Sequence, residues 1–181
     1  GYIIQTNDNI GRIKTNGFDL TAGYNMKLGG FGGLSLSYEG TYVRSYQYQT
    51  NPSDPYKENV GIYSDGSPVF KWKHNLGAAW ALDNLGARMS LRHQSGYRDQ
   101  NDPSTVVGGP SFYGDVEAYT LVDLSATYKF NKLSSLTVGV KNLFDKEPPF
   151  SNQSNRSQRG YDPRYTDALG RALFVRAAYG F

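Results

Sequence analysis

Proton-transfer chemistry near neutral pH needs a side chain that titrates there, and this sequence supplies few. It has no cysteine and two histidines, His74 and His93; imidazole is the one side chain whose ordinary pKa falls in that range. A hydrolytic centre would need one of them turned toward a carboxylate within hydrogen-bond reach, beside a Ser or Asp nucleophile. His74 alternates in phase with Leu76, and His93 with Leu91, so both fall on the apolar face of their segments. No catalytic constellation assembles, and neither an enzyme nor a resident cofactor is expected. Asp54, Glu58 and Asp65 are close enough together to suggest a cation, but their spacing matches no EF-hand loop, and no metal site is expected.

Binding chemistry is better represented. Tyr56, Tyr63, Tyr113, Arg156, Arg159, Tyr161, Arg164 and Tyr165 lie in polar connecting segments. There, rings can stack on sugars or chelates and guanidinium groups can pair with carboxylates. A second set, Asp19, Glu39, Lys73, Arg88, Arg92, Asp123, Lys141 and Arg176, recurs on the polar face of alternating segments. Such a face suits a water-filled interior, with Asp19, Glu39 and Asp123 as partners for the bases. The formal net charge of +3 over 181 residues is small and its cations are scattered, which argues against nucleic acid as a partner.

The elements that must carry these residues are strands. From the C-terminus, Leu173, Val175, Ala177, Tyr179 and Phe181 alternate with Phe174, Arg176, Ala178 and Gly180, a period of two that reads as a half-apolar β-strand. Residues 119–130 place Val122, Leu124, Ala126, Tyr128 and Phe130 against Asp123, Ser125, Thr127 and Lys129. Residues 136–144, 72–82 and 87–98 repeat the scheme, as do the segment from Phe18 to Leu28 and its partner through Leu34, Leu36 and Tyr38. Helical periodicity is absent, and an antiparallel all-β meander of about eight strands is predicted.

The joins alternate in length. Those at 29–33, 83–86 and 131–135 are short; those at 50–68, 99–117 and 145–170 are long, polar and rich in Pro, Asn, Asp and Ser. All short joins fall at one end of the strands and all long ones at the other, the asymmetry of outer-membrane barrels. No apolar run approaches the length of a membrane helix, and the negative mean hydropathy excludes a helical membrane protein without excluding a barrel. The 15 tyrosines suggest interfacial girdles. Tyr42, Tyr46, Tyr48, Phe70, Trp72, Tyr97 and Tyr119 are expected at the outer rim, and Trp80, Tyr128, Phe130, Tyr179 and Phe181 at the inner. A transmembrane sheet in contact with outer-membrane lipid follows, since in hydrocarbon every backbone amide must be paired.

Three motifs carry a family resemblance. Val140-Lys141-Asn142-Leu143-Phe144-Asp145-Lys146-Glu147-Pro148 resembles the penultimate-strand signature of TonB-dependent outer-membrane receptors. Gly160-Tyr161-Asp162-Pro163-Arg164-Tyr165, followed by Leu169-Gly170-Arg171 and a strand ending in Phe181, is similar to their C-terminal box. Asn16-Gly17-Phe18-Asp19-Leu20 resembles a recurring strand of the same family. The resemblance implies a plugged barrel of about 22 strands, of which residues 1–181 would be the C-terminal part. The sequence opens in strand-like Tyr2-Ile3-Ile4-Gln5, with no initiator Met, signal peptide, plug or TonB box ahead of it, so a processed product or fragment is expected.

By this resemblance the segment would serve active uptake of a scarce nutrient across the bacterial outer membrane: a siderophore, cobalamin, carbohydrate or similar small molecule. Its partners would be the barrel insertion machinery and, through the missing N-terminal region, the TonB energy-transducing complex. Val175, Ala177, Tyr179 and Phe181 would form the assembly signal, and Asn142, Leu143, Phe144 and Asp145 the family motif, which can equally cap a loop by local hydrogen bonding. The alternative is a small autonomous eight-stranded barrel with a structural or adhesive role. A hydrogen-bonded ladder between Tyr2–Gln5 and Phe174–Phe181 would favour that alternative.

Overall fold

A computed structural model describes residues 11–64, 66–99, 114–153 and 160–180. Tyr2–Gln5, Asp65, Tyr113, Arg156, Arg159 and Phe181 lie outside the described residues. Twelve strands are described: β1 (Arg12–Lys27), β2 (Gly33–Gln49), β3 (Lys57–Glu58), β4 (Tyr63–Ser64), β5 (Ser67–Pro68), β6 (Trp72–Leu82), β7 (Leu85–Gln94), β8 (Tyr97–Arg98), β9 (Asp115–Val116), β10 (Tyr119–Lys129), β11 (Ser134–Lys141) and β12 (Ala172–Tyr179). An eight-stranded sheet runs in the order β1-β2-β6-β7-β10-β11-β12, with β3 paired to β2. Its pairs are antiparallel throughout, as the meander requires. The sheet is open: β1 and β12 are its two edges, and among the described residues no ladder joins them.

Register shows how the alternation builds two surfaces. Tyr24, Leu36, Ala78, Met89, Leu124, Val140 and Leu173 form one continuous row across seven strands. A one-residue slip anywhere would turn a whole strand's apolar set to the other side. Large apolar residues of this face stand exposed, with Leu20 at 52%, Val138 at 47% and Leu173 at 84%. A contiguous bare apolar surface of this kind marks contact with lipid or another apolar partner; we call it the outer face. The opposite, inner face carries the row Thr21–Glu39–Asn75–Arg92–Leu121.

The short joins are tight. β6 and β7 are linked by Asp83 and Asn84 alone, with Asp83 at φ 49°. Between β1 and β2 a single 3₁₀ turn, Gly29–Phe31, ends at Gly32 with φ 85°, where a Cβ would come within 2.1 Å of Ala81 O. Only glycine fits that approach.

Three differences from the sequence reading have physical causes. β11 ends at Lys141 rather than near Phe144, because Asn142 and Asp145 take left-handed φ of 51° and 54°. The strand predicted over 87–98 ends at Gln94, and Tyr97–Arg98 pairs separately with β9. In β2, Arg44 is an extra residue: Asn16 pairs with Ser45 and Gly17 with Val43. That bulge shifts the alternation by one, so Tyr46 and Tyr48, opposite Thr15 and Ile13, share the face of Asp19 and not the outer face. They do not belong to the outer girdle. Phe70, Tyr97 and Tyr119 do not either: each is at most 6% exposed, packed under loops. The outer cluster that remains is Phe18, Tyr42 and Trp72, with Tyr42 and Trp72 centroids 4.3 Å apart.

Candidate functional site

Asp19, Glu39, Lys73, Arg88, Arg92, Asp123, Lys141 and Arg176 all alternate in phase on the inner face. Arg92 Nη2 meets Asp123 Oδ2 at 3.2 Å, and Asp123 Oδ1 also accepts the Asn142 amide at 2.9 Å. Asp19 Oδ1 accepts from Thr41 Oγ1 at 2.6 Å. Lys73 Nζ sits 4.7 Å over the Phe70 ring and 5.8 Å from that of Tyr165, within cation–π range.

Above these charges, the loop between β11 and β12 folds inward over the inner face. Side chains of the wall hold its backbone: Gln94 Nε2 donates to Tyr165 O at 3.1 Å, and Tyr119 Oη to Asp167 O at 3.1 Å. Arg164 then reaches a different loop. Its Nη1 donates to Gly66 O at 2.8 Å and its Nη2 to Tyr63 Oη at 2.9 Å, while Asp162 grips the guanidinium from below. Hydrogen bonding to Asp162 holds the Arg164 pKa above its ordinary value, against the opposing effect of burial. Below the loop lies a cleft of about 390 Å³ lined by Lys73, Asn75, Arg92, Gln94, Tyr119 and Tyr165.

The loops form one body. Ile62 bridges Arg98, whose amide donates to Gly61 O at 2.8 Å. Asp99, 5% exposed, accepts from Ser151 Oγ at 3.0 Å and from the Asn152 amide at 2.5 Å. Tyr63, Phe70, Tyr97 and Val116 make a small apolar core, with Tyr165 packed against it. Burial chiefly, with the nearby Asp99, Asp162 and Tyr63, pushes the Tyr97 phenol up to about 12 despite a hydrogen bond with Ser151. This cap needs both halves: an apolar centre to hold the loops together and polar contacts for backbone groups that leave the ladder.

Of the expected ligand contacts, Tyr63, Arg164 and Tyr165 are brought together in this cap. Tyr161 O accepts from Gln153 Nε2 at 3.3 Å in the same loop. Tyr56 stands apart, with Lys14 Nζ 3.9 Å over its ring. Sequence reasoning missed Asp162, Asp99, Ser151, Gln94 and Tyr97. Asp162-Pro163-Arg164 within the C-terminal box was the one signal available for any of them. The Glu58 carboxylate accepts from Ser45 Oγ at 2.7 Å and from the amides of Tyr46, Asn59 and Val60. Burial opposes its ionisation, but these bonds together lower its pKa.

The family motif builds a turn. Asn142, 6% exposed, donates from Nδ2 to Lys146 O at 2.9 Å and accepts the Lys146 amide on Oδ1 at 2.8 Å. Leu143 N donates to Val122 O at 2.7 Å. Asp145 Oδ1 accepts the Arg171 amide at 2.7 Å, closing the base of the long loop where β12 begins. Phe144 is 73% exposed. At the other end of β12, Val175, Ala177 and Tyr179 face outward, paired with Val138, Leu136 and Ser134. The histidines lie on the outer face, with Tyr38 and Thr120 hydroxyls as partners rather than carboxylates.

Comparison with known proteins adds to this geometry. The family described as TonB dependent receptor-like, beta-barrel, matches residues 1–143. A crystal structure of a mutant ferric enterobactin receptor, PfeA, from Pseudomonas aeruginosa superposes with a TM-score of 0.57 at 18% identity. The match covers 92% of this chain and 22% of that receptor, so the chain spans less than a quarter of the relative's length. No curated protein sequence matches significantly.

Proposed function

This chain belongs to the TonB-dependent receptor-like β-barrel family, and from that premise we propose that it is the C-terminal part of an outer-membrane receptor barrel importing a scarce nutrient. The plug and the TonB box would come from elsewhere in the polypeptide, and energy from the inner-membrane TonB complex. The outer face, bare and apolar across seven strands, is the lipid contact; the inner face, with its eight charges, lines an aqueous lumen or meets a plug. Two sheet edges that pair with no further strand among the described residues suit a segment that continues into further strands, since unpaired edges in hydrocarbon are untenable. An autonomous closed barrel is not what this open sheet supports.

The observation that carries the proposal is the inward fold of the β11–β12 loop. It brings Arg164 and Tyr165 over the inner wall at the end with the long loops, with Tyr165 beside Lys73 of β6. A solute entering from that side meets the Tyr165 ring and the Lys73 ammonium in the cleft beneath the loop. Siderophores, cobalamin and carbohydrates are the candidate cargo.

The test is uptake. A strain lacking the gene is grown with each candidate nutrient limiting, then complemented with wild type, Arg164→Ala or Lys73→Ala. Loss of growth on one nutrient, restored by wild type only when the TonB complex is intact, is the expected result. Restoration in a strain without that complex would overturn the proposal.

A further inference from the structure

The cleft beneath the β11–β12 loop holds one cation without an ion-pair partner among the described residues. Three bases border it: Lys73, Arg92 and Arg164. The Arg164 charge is met by the buried Asp162 carboxylate at 2.6 Å, and that of Arg92 by Asp123 at 3.2 Å. Lys73 has no acid within ion-pair distance among the described residues. Its ammonium lies instead 4.7 Å over the Phe70 ring and 5.8 Å from that of Tyr165. Ring faces attract the charge without filling its three N–H donors.

The other polar groups of the cleft complement hydroxyls. Asn75, exposed on β6, carries both amide donors and an acceptor. Gln94 gives Nε2 to the loop backbone, which leaves Oε1 as an acceptor. Asp167 accepts the Leu169 amide on Oδ1 at 3.0 Å, which leaves Oδ2. Arg92 has donors beyond the Nη2 engaged with Asp123. A hydroxyl both donates and accepts, so a polyhydroxylated ligand answers every one of these groups. A ligand with acceptor oxygens alone would leave Gln94 Oε1 and Asp167 Oδ2 unpaired as water leaves, and an orphaned polar group costs more than an ordinary hydrogen bond gains.

We propose that this cleft binds the carboxylate-bearing ring of an acidic sugar, with Lys73 on the carboxylate and Asn75, Arg92, Gln94 and Asp167 on the hydroxyls; this rests on the reading of the chain as part of a nutrient receptor. The count of charges selects a single carboxylate. A phosphate ester carries about −1.5 to −2 near neutral pH, and the charge beyond one would face Asp167 while Arg92 and Arg164 are already paired. Size agrees with a sugar unit. The cleft, at about 390 Å³, stands near the lower end of ligand sites, about 300–1,000 Å³. Arg164 borders the site without binding the anion, because Asp162 neutralises it; it holds the loop that roofs the cleft.

The test uses the full receptor purified from outer membranes in mild detergent. Short oligomers of galacturonate, glucuronate and mannuronate are titrated by calorimetry beside their methyl esters, which keep the hydroxyls and lose the charge. Wild type should bind at least one acid about tenfold more tightly than its ester, the scale of one hydrogen bond between charged groups. Lys73→Met, which keeps an apolar stem against the rings, should bring that acid down to the affinity of its ester. Lys73→Arg should keep most of the preference, and Asn75→Ala should weaken acid and ester alike. Equal affinity for acid and ester in wild type would overturn the site. So would a preference that survives in Lys73→Met, or no binding of any of the acids. Growth with and without the TonB complex separates this from the reading beneath it. TonB-dependent uptake of another nutrient, with no acid bound, sinks the sugar assignment alone. Acid binding with uptake independent of that complex sinks the receptor reading and leaves the site.

Discussion

Arg164 holds Asp162 through two parallel hydrogen bonds, Nε to Oδ1 at 2.9 Å and Nη2 to Oδ2 at 2.6 Å, with the carboxylate only 2% exposed. The same guanidinium spans 98 residues of sequence to reach Gly66 O. One side chain thus joins the last loop to the first and neutralises a buried charge. Arg164→Ala should therefore free residues 160–171 locally, at a cost of about 3–5 kcal/mol for an orphaned buried carboxylate. Hydrogen exchange should show these amides deprotected while β10 and β11 stay protected. Arg164→Lys should recover only part of this, lacking the planar fork.

Gly17 is the second sensitive point. A Cβ there would lie 2.2 Å from Tyr42 O, against the bulge, whereas one at Gly23 would meet nothing nearer than 3.9 Å. Gly17→Ala should destabilise the sheet by about 1–3 kcal/mol through overcrowding. Gly23→Ala, on the same strand, should stay within about 0.5 kcal/mol. Denaturant titration of the refolded barrel in micelles compares the two.

Orientation of the faces predicts an asymmetry in tolerance. Val138→Arg or Leu124→Arg, on the outer face, should cost about 2–4 kcal/mol near the bilayer midplane. The same change at Thr137 or Ser125, on the inner face, should be tolerated better. Insertion yield read by heat-modifiable migration is the measurement, and equal defects on both faces would refute the assigned alternation.

The cap should weaken in alkali. The Tyr97 phenol is raised by burial from its ordinary value of 10 to about 12, so the folded cap retains a proton that the opened form releases first. Its contribution is complete below the ordinary phenol pKa and is lost as pH rises from there through about 12. Phenolate absorbance should show Tyr97 titrating late, and Tyr97→Phe should reduce the amplitude of the late step by one phenol.

The terminal strand offers a kinetic prediction. Val175, Ala177 and Tyr179 present outward side chains at every second position on an edge strand, a pattern that another sheet can read by strand addition. Deleting Phe181 from the full-length protein should slow barrel assembly by the insertion machinery far more than it weakens barrels already formed. Unchanged assembly rates would leave that residue only an interfacial anchor.

How much was legible in the sequence differs between wall and mouth. Alternation with period two determined the strands, the two faces and all eight inner charges, because in a regular sheet a side chain's direction follows from its parity alone. The lengths of the joins determined which end carries the loops. The left-handed φ of Asn142, which ends β11 early, and the bulge at Arg44, which turns Tyr46 and Tyr48 inward, depend on contacts with neighbouring segments, and parity counting cannot see them. The same holds for Phe70, Tyr97 and Tyr119: their types suited a girdle, but the loops folded over them. Only the tertiary structure decided the cap. Arg164, Gly66 and Tyr63, like Asp99 and Ser151, are joined by hydrogen bonds across 52 to 101 residues of chain, and no local periodicity records a contact made at that distance.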